Sequence, residues 1–168
     1  MCLYIPNYYP AYVPVNHCRL GTDELLDGQL TEEEIRDSFQ VLKEKKIPVI
    51  MHNGKFDIRV MRNTCNIEMP IYWDTMIAAQ LLDENESARL KYQFKKYVDP
   101  TIDVYNIETF FAGIPYKWVP IDVFALYAAI IATTVFPVNF NTRKTRKSAC
   151  KNVKPPPKTV FLLFSLIL

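Results

Sequence analysis

The sequence lacks paired cysteines and has little histidine. No C-x-x-C pair occurs, and no histidine stands at ligand spacing from any of the four cysteines, which are Cys2, Cys18, Cys65 and Cys150. This pattern excludes a zinc-finger site and the disulfide framework of a small secreted domain. We expect free thiols in a reducing compartment.

A signal pattern and a long apolar run are also missing. The most apolar stretch, residues 160–168, is interrupted by Ser165 and is far shorter than the roughly 20 residues that span a bilayer. The N-terminus has no charged segment followed by an apolar one. The sequence therefore gives no indication of secretion or of membrane insertion.

Acidic residues are absent from the last part of the chain. No Asp or Glu follows Asp122, whereas seven of the 20 Lys and Arg residues lie after residue 142. The net charge of +2 thus combines an acidic body with a basic tail. The tail also holds three consecutive prolines and an apolar end, an order that matches no packed element. We predict a folded domain over residues 1–135 and a basic, proline-containing tail over 136–168, outside the packed fold.

The body alternates between strand and helix patterns. Two short β-type runs, residues 2–5 and 11–15, predict a hairpin at a sheet edge, because Pro14 cannot donate to a central ladder. Thr31 and Glu34 form a capping box at the start of a helix. The alternation predicts an α/β fold.

The stretch from Ile47 to Asp57 carries the first candidate site. Its apolar start predicts a buried strand, and Lys55 onward predicts a helix that Asn53 can cap. Asp57 lies four residues after Asn53 and therefore on the same helical face, near the carboxyl end of the strand. Ligands bind at such strand ends in open α/β sheets. These residues alone leave open a capped helix with a solvated Asp57.

A second strand-to-helix junction follows. Residues 71–73 predict a strand, and Asp74 comes directly before a helix over residues 75–82, which it can cap. Further helices are predicted over residues 87–98 and 106–112, and a last one begins after Asp122.

Four segments in series, between about residue 2 and residue 129, resemble the 3′–5′ exonuclease (proofreading) domain of family A DNA polymerases, the DNA polymerase I group. Residues 11–17 resemble its edge strand, residues 52–57 its motif Asn-x-x-x-Phe/Tyr-Asp, residues 73–76 its Asp-Thr-Met segment, and residues 124–129 the opening of its motif Tyr-x-x-x-Asp. The resemblance implies a ribonuclease H-like fold, a mixed sheet flanked by helices. It also implies a bacterial or phage-encoded cytoplasmic protein that acts on single-stranded DNA 3′ ends beside a polymerase domain.

The resemblance also implies the chemistry of the site. In the family, two divalent cations, Mg²⁺ or Mn²⁺, are held by four carboxylates, activate water and stabilise the leaving oxygen. Asp57 matches one of these metal-binding, catalytic acids, and Tyr127 matches the tyrosine that positions the water. The implied substrate contacts are His52, Asn53, Lys55 and Asp74. Asn53, Asp57 and Tyr127 are expected to share one cleft wall. Without the resemblance, His52 would be a hydrogen-bonded turn residue and Tyr127 a core tyrosine.

The sequence departs from the family pattern at two places. The family's Asp-x-Glu strand would precede Leu3, so we expect the first strand or strands to be missing, and Ile131 stands where the last motif has its Asp. Asp57 is then the one metal-binding acid left. An isolated carboxylate holds Mg²⁺ weakly, because dehydration of the ion is barely compensated. We therefore predict a truncated fragment that does not hydrolyse DNA by itself.

Two alternatives stay open for function, and two for the tail. The chain could be a non-catalytic module that binds single strands through aromatic stacking and phosphate contacts, or a related ribonuclease of the same superfold. After residue 129 the chain is either a divergent tail or the product of a shifted reading frame.

Overall fold

The computed structural model describes residues 1–5, 10–97, 99–101, 113–127 and the backbone of 160–163, and these residues form a mixed α/β fold. The strands are β1 (Cys2–Tyr4), β2 (Ala11–Tyr12), β3 (Val49–Met51), β4 (Trp73–Asp74) and β5 (Val160–Leu163). The helices are α1 (Glu32–Glu44), α2 (Gly54–Cys65), α3 (Thr75–Leu82), α4 (Leu90–Tyr97) and α5 (residues 121–127), with a 3₁₀ turn at Tyr116–Trp118 before α5.

The five strands form one sheet in the order β2-β1-β5-β3-β4. β1 pairs antiparallel with β2, which confirms the predicted edge hairpin, and β3 pairs parallel with β4. β5 lies between these two pairs, antiparallel to β1 and parallel to β3. Within the described chain, β5 is therefore the strand that joins the hairpin to the parallel pair.

The position of β5 differs from the expectation for the tail. Residues 136–168 were predicted to lie outside the packed fold, yet Val160–Leu163 pair with strands on both sides. The four residues are apolar and include a β-branched valine and a phenylalanine, which suits a strand flanked on both sides. Residues 136–159 and 164–168 lie outside the described part of the chain.

The core forms where α1 and α2 pack on the sheet. Thr31 and Glu34 make the predicted capping box at the start of α1, and Ile35 and Phe39 are the buried residues of that helix. They join Val49 and Met51 of β3, and Met61 and Cys65 of α2, in one apolar cluster. This packing fixes β3 and the start of α2, which together carry the candidate site.

Several predicted helices have different bounds. The α3 helix has the predicted range, whereas α4 begins at Leu90 rather than at residue 87. The predicted helix over residues 106–112 lies outside the described residues.

In the described part of the chain, no helix has both the length and the apolar character needed to cross a membrane.

Candidate functional site

Two parallel strands bring the candidate residues together. Ile50 and Met51 of β3 pair with Trp73 and Asp74 of β4, so the carboxyl ends of the two strands lie side by side. The segment His52-Asn53-Gly54 leads from β3 into α2, where Asp57 is buried in the first turns, with 3% of its surface exposed. Ligands bind at strand ends of this kind.

The Asp74 carboxylate binds the N-termini of two helices. At the start of α3 its Oδ1 accepts hydrogen bonds from the backbone N–H of Met76 at 2.8 Å and of Ile77 at 3.4 Å. At the start of α2 it accepts from Asn53 N at 3.1 Å and, through Oδ2, from Gly54 N at 2.8 Å. Helix N-termini carry unpaired N–H groups and partial positive charge, so one carboxylate stabilises both ends.

The predicted cap of α2 is therefore wrong. The Asn53 side chain makes no capping hydrogen bond, and its backbone is left-handed, with φ of 59°. Asn tolerates this conformation better than most residues. Asn53 serves as the bend between β3 and α2, and the cap comes from Asp74, which is distant in sequence.

Gly54 allows this close approach of α2 to the strands. A Cβ at this position would lie 2.7 Å from Ile71 Cδ1 and 2.8 Å from Met51 Cβ. We expect Gly54→Ala to lower the free energy of unfolding by about 1–3 kcal/mol through overpacking. Urea unfolding measures the loss. Ile71→Val removes Cδ1, so the double variant should recover part of it, and a strictly additive double variant would contradict the proposed clash.

Burial controls the proton affinity of the two other polar side chains here. Burial, and secondly the negative charge of Asp74, raises the pKa of Asp57 to about 8. Burial also lowers the pKa of His52 to about 4, although the charge of Asp74 acts in the opposite direction. At neutral pH both groups are therefore mostly uncharged.

His52 is held by Thr75, a residue that the sequence did not mark as part of the site. His52 Nδ1 lies 2.8 Å from Thr75 Oγ1, which is itself 3.3 Å from the Met51 carbonyl oxygen. Thr75 is completely buried. Its position directly after Asp74, at the end of an apolar strand, was the signal in the sequence that could have identified it.

Tyr127 lies in a different set of contacts. Its ring packs against Phe124 with centroids 6.1 Å apart, and Lys91 Nζ lies 5.9 Å from its centroid. Phe124 in turn packs against Tyr12 of β2, at 5.4 Å. These contacts run towards the β2 edge of the sheet, whereas Asp57 lies by the β3–β4 pair. The shared cleft wall of Asp57 and Tyr127 stays a prediction.

The buried His17 lies in the same cluster of aromatic side chains. Its ring bridges Tyr12 Oη, 2.5 Å from Nε2, and the Val119 carbonyl oxygen, 3.1 Å from Nδ1. It thereby ties β2 to the segment that precedes α5.

Comparison with known protein families identifies the family of this chain. The model of the 3′–5′ exonuclease family matches residues 2–129, a range that includes β1 to β4 and all five helices. The chain belongs to the 3′–5′ exonuclease family. The predicted resemblance, including its extent along the chain, is confirmed.

A similar protein supports this membership of the exonuclease family. DNA polymerase I of Borreliella burgdorferi is 38% identical over 64 residues, which is 38% of this chain and 7% of that protein. The chain thus matches a small part of that relative's length. No solved structure matches the chain.

The residues described do not fit the divalent metal ions that the exonuclease family generally uses. Hard cations such as Mg²⁺ need several oxygen ligands. Both Asp74 oxygens already accept backbone hydrogen bonds, and Asp57 is buried. Among the described residues, no group of three or more His, Cys, Asp or Glu side chains could hold a metal ion. Asp57 as a metal ligand stays a prediction.

The remaining predicted contacts lie on the surface around α2. Asn53 and Lys55 are exposed, and Phe56 exposes 43% of its surface beside them. A shallow cleft lined by Ile71, Tyr72, Trp73, Asp74 and Ile77 adjoins the start of α3. The strand ends therefore carry exposed polar and aromatic groups that a nucleic acid could contact.

Proposed function

We propose that this member of the exonuclease family binds the 3′ end of single-stranded DNA at the carboxyl ends of β3 and β4, and that the chain alone does not hydrolyse it. Asn53, Lys55 and the exposed Phe56 supply hydrogen-bonding, cationic and stacking groups for a single strand. One observation supports the proposed absence of hydrolysis. Asp74 is engaged in capping two helices, so Asp57 has no second free carboxylate beside it among the described residues.

We also propose a ribonuclease H-like sheet. Support comes from the antiparallel hairpin, the parallel β3–β4 pair and the helices that connect the strands. The family membership adds weight to this assignment.

The second candidate function is hydrolysis within a larger protein. The family membership and the similarity to a DNA polymerase I favour a polymerase domain as the natural neighbour and DNA as the substrate. In that setting, other parts of the protein would have to supply the carboxylates that complete a cation site with Asp57. Tyr127 would also have to lie close to that cation site.

A single assay separates binding from hydrolysis. The full chain is mixed with single-stranded DNA labelled at its 5′ end, with Mg²⁺ or Mn²⁺, and both complex formation and shortening are followed. We expect binding that weakens as salt rises, since phosphate contacts release counterions, and no shortening. The exposed Asp83 gives the matched control, Asp83→Ala. Shortening that persists in Asp83→Ala and disappears in Asp57→Ala would contradict the proposal.

A further inference from the structure

His17 connects the β1–β2 hairpin with the segment that leads into α5. Its side chain is fully buried, Nδ1 lies 3.1 Å from the Val119 carbonyl oxygen, and Nε2 lies 2.5 Å from Tyr12 Oη. A carbonyl oxygen can only accept, so the ring proton is on Nδ1 and Tyr12 donates its hydroxyl hydrogen to Nε2. Both ring nitrogens are thus used by the neutral form of the imidazole.

Helix α5 is attached to this histidine through Phe124. Phe124 is 1% exposed, whereas the other six residues of α5 are half-buried or exposed. Its ring centroid lies 5.4 Å from that of Tyr12 and 5.8 Å from that of His17. A helix of seven residues is not stable by itself in water. The position of α5 therefore depends on the packing of Phe124 against Tyr12 and His17.

These contacts are separate from the main core. None of the residues Tyr12, His17, Val119 and Phe124 belongs to the apolar cluster that α1, α2 and β3 form. Met1, at the start of the hairpin, does belong to that cluster and fixes the hairpin independently of α5. Separation of α5 can therefore leave the sheet and the main core in place.

A second proton on the His17 ring would be a buried charge without a partner. Among the described residues, no carboxylate bonds to the ring, and such a charge is costly to bury. Burial lowers the pKa of His17 from its ordinary value of 6.5, the hydrogen bond to Val119 acts in the opposite direction, and the positive Met1 amino group lowers it further. Burial also raises the pKa of Tyr12, which therefore keeps its own proton.

The other titratable groups on the packed elements make no hydrogen bond to the imidazole. Lys117 is paired with Asp23, and Asp122 of α5 is exposed. The remaining groups are the thiols of Cys2 and Cys18, the phenols of Tyr116 and Tyr127, and the amine of Lys91, which lies over the Tyr127 ring.

We propose that His17 is a pH switch: when its imidazole takes up a proton, α5 and Tyr127 separate from the β1–β2 hairpin, while the sheet and the main core stay folded. In the separated state the ring is in water and binds protons with its ordinary affinity, whereas in the docked state it binds them less tightly. Docking of α5 is therefore favoured above about pH 6.5 and weakens as the pH falls below that value. The switch goes beyond the proposed DNA binding and does not depend on it.

Trp118 provides the signal for the test. It directly precedes Val119, and its indole N–H donates to the Thr22 carbonyl oxygen at 2.7 Å. In the full chain with Trp73→Phe it is the one tryptophan left, and its emission is measured from about pH 8 to about pH 4.5 beside far-UV circular dichroism. We expect a red shift with a midpoint below pH 6.5, with most of the helical signal retained. Nitrogen-15 NMR of the His17 ring, assigned with the help of His52→Gln, should show proton uptake with the same midpoint.

Two variants test the coupling between the proton and α5. His17→Gln can still make both hydrogen bonds of the histidine but cannot take up a proton, so the red shift should disappear. Phe124→Ala removes the side chain that docks α5, so Trp118 should have its acid emission already at neutral pH, and His17 should titrate near 6.5. Leu126→Ala, at an exposed position of the same helix, is the matched control and should behave like the unsubstituted protein.

Three results would overturn the switch. Trp118 emission that stays constant over the pH range would show that α5 remains docked. A loss of the far-UV signal with the same midpoint would show acid unfolding of the whole domain instead. An unchanged titration of His17 in Phe124→Ala would show that docking of α5 has no influence on the proton.

Discussion

Asp74→Ala is expected to lower the free energy of unfolding by about 3 kcal/mol, because it removes the N-terminal cap of two helices at once. A single cap contributes about 1 kcal/mol, and hydrogen bonds to a charged acceptor are stronger than neutral ones. The substitution also leaves the N–H of Gly54, a buried residue, without its acceptor. Urea unfolding at neutral pH measures the difference.

Thr31→Ala is the control for Asp74. Thr31 caps α1 alone, so its loss should cost about 1 kcal/mol. Asp74→Asn should be intermediate, since an amide oxygen in the place of Oδ1 can still accept from Asn53 N and Met76 N, while the NH₂ group faces the Gly54 N–H. If Asp74→Ala cost no more than Thr31→Ala, the double cap would be wrong.

Asp57→Asn is expected to gain stability relative to the unsubstituted protein as the pH rises. The folded-state pKa of Asp57 is about 8, against 3.8 for an ordinary Asp. Between these values the folded protein retains a proton that the unfolded chain has lost, so Asp57 makes stability fall as the pH rises. Asn cannot ionise. The difference in the free energy of unfolding between the variant and the unsubstituted protein should grow by about 3.5 kcal/mol from pH 5 to pH 8.

Asp57→Asn is compared with the unsubstituted protein at each pH because other groups titrate in the same pH range. Burial lowers the pKa of the Met1 amino group to about 6, so this group makes stability rise between about pH 6 and pH 8. His52, with a folded pKa of about 4, makes stability fall as the pH drops from 6.5 to 4. Both contributions are common to the two proteins and cancel in the difference. A difference that stays constant across the range would show that Asp57 ionises normally in the folded protein.

Local patterns predicted the parts of the site that depend on neighbouring residues. The capping box at Thr31 and Glu34, the strand Val49–Met51 and the helix Thr75–Leu82 are all present. The edge hairpin also followed from sequence, because the apolar runs and Pro14 suffice to define it. These features need few contacts beyond adjacent turns of the chain.

Features that depend on distant residues were not predicted. Nothing near Asn53 shows that Asp74 would bind the start of α2, because the two meet only when β3 and β4 pair. The role of Thr75 as the support of His52 depends on the same pairing. Family resemblance identified Asp57 and Tyr127, but the contacts around each depend on tertiary packing.

The placement of β5 has a consequence for how the protein is made. A ribosome releases β1 first, and Val160–Leu163, which bridge β1 and β3, come roughly 150 residues later. Until then the inner edges of β1 and β3 both have unpaired backbone groups, and such edges are open to pairing with other chains. During that interval the growing chain has unpaired strand edges in the middle of its sheet, which makes chaperone protection most valuable before Val160–Leu163 emerge.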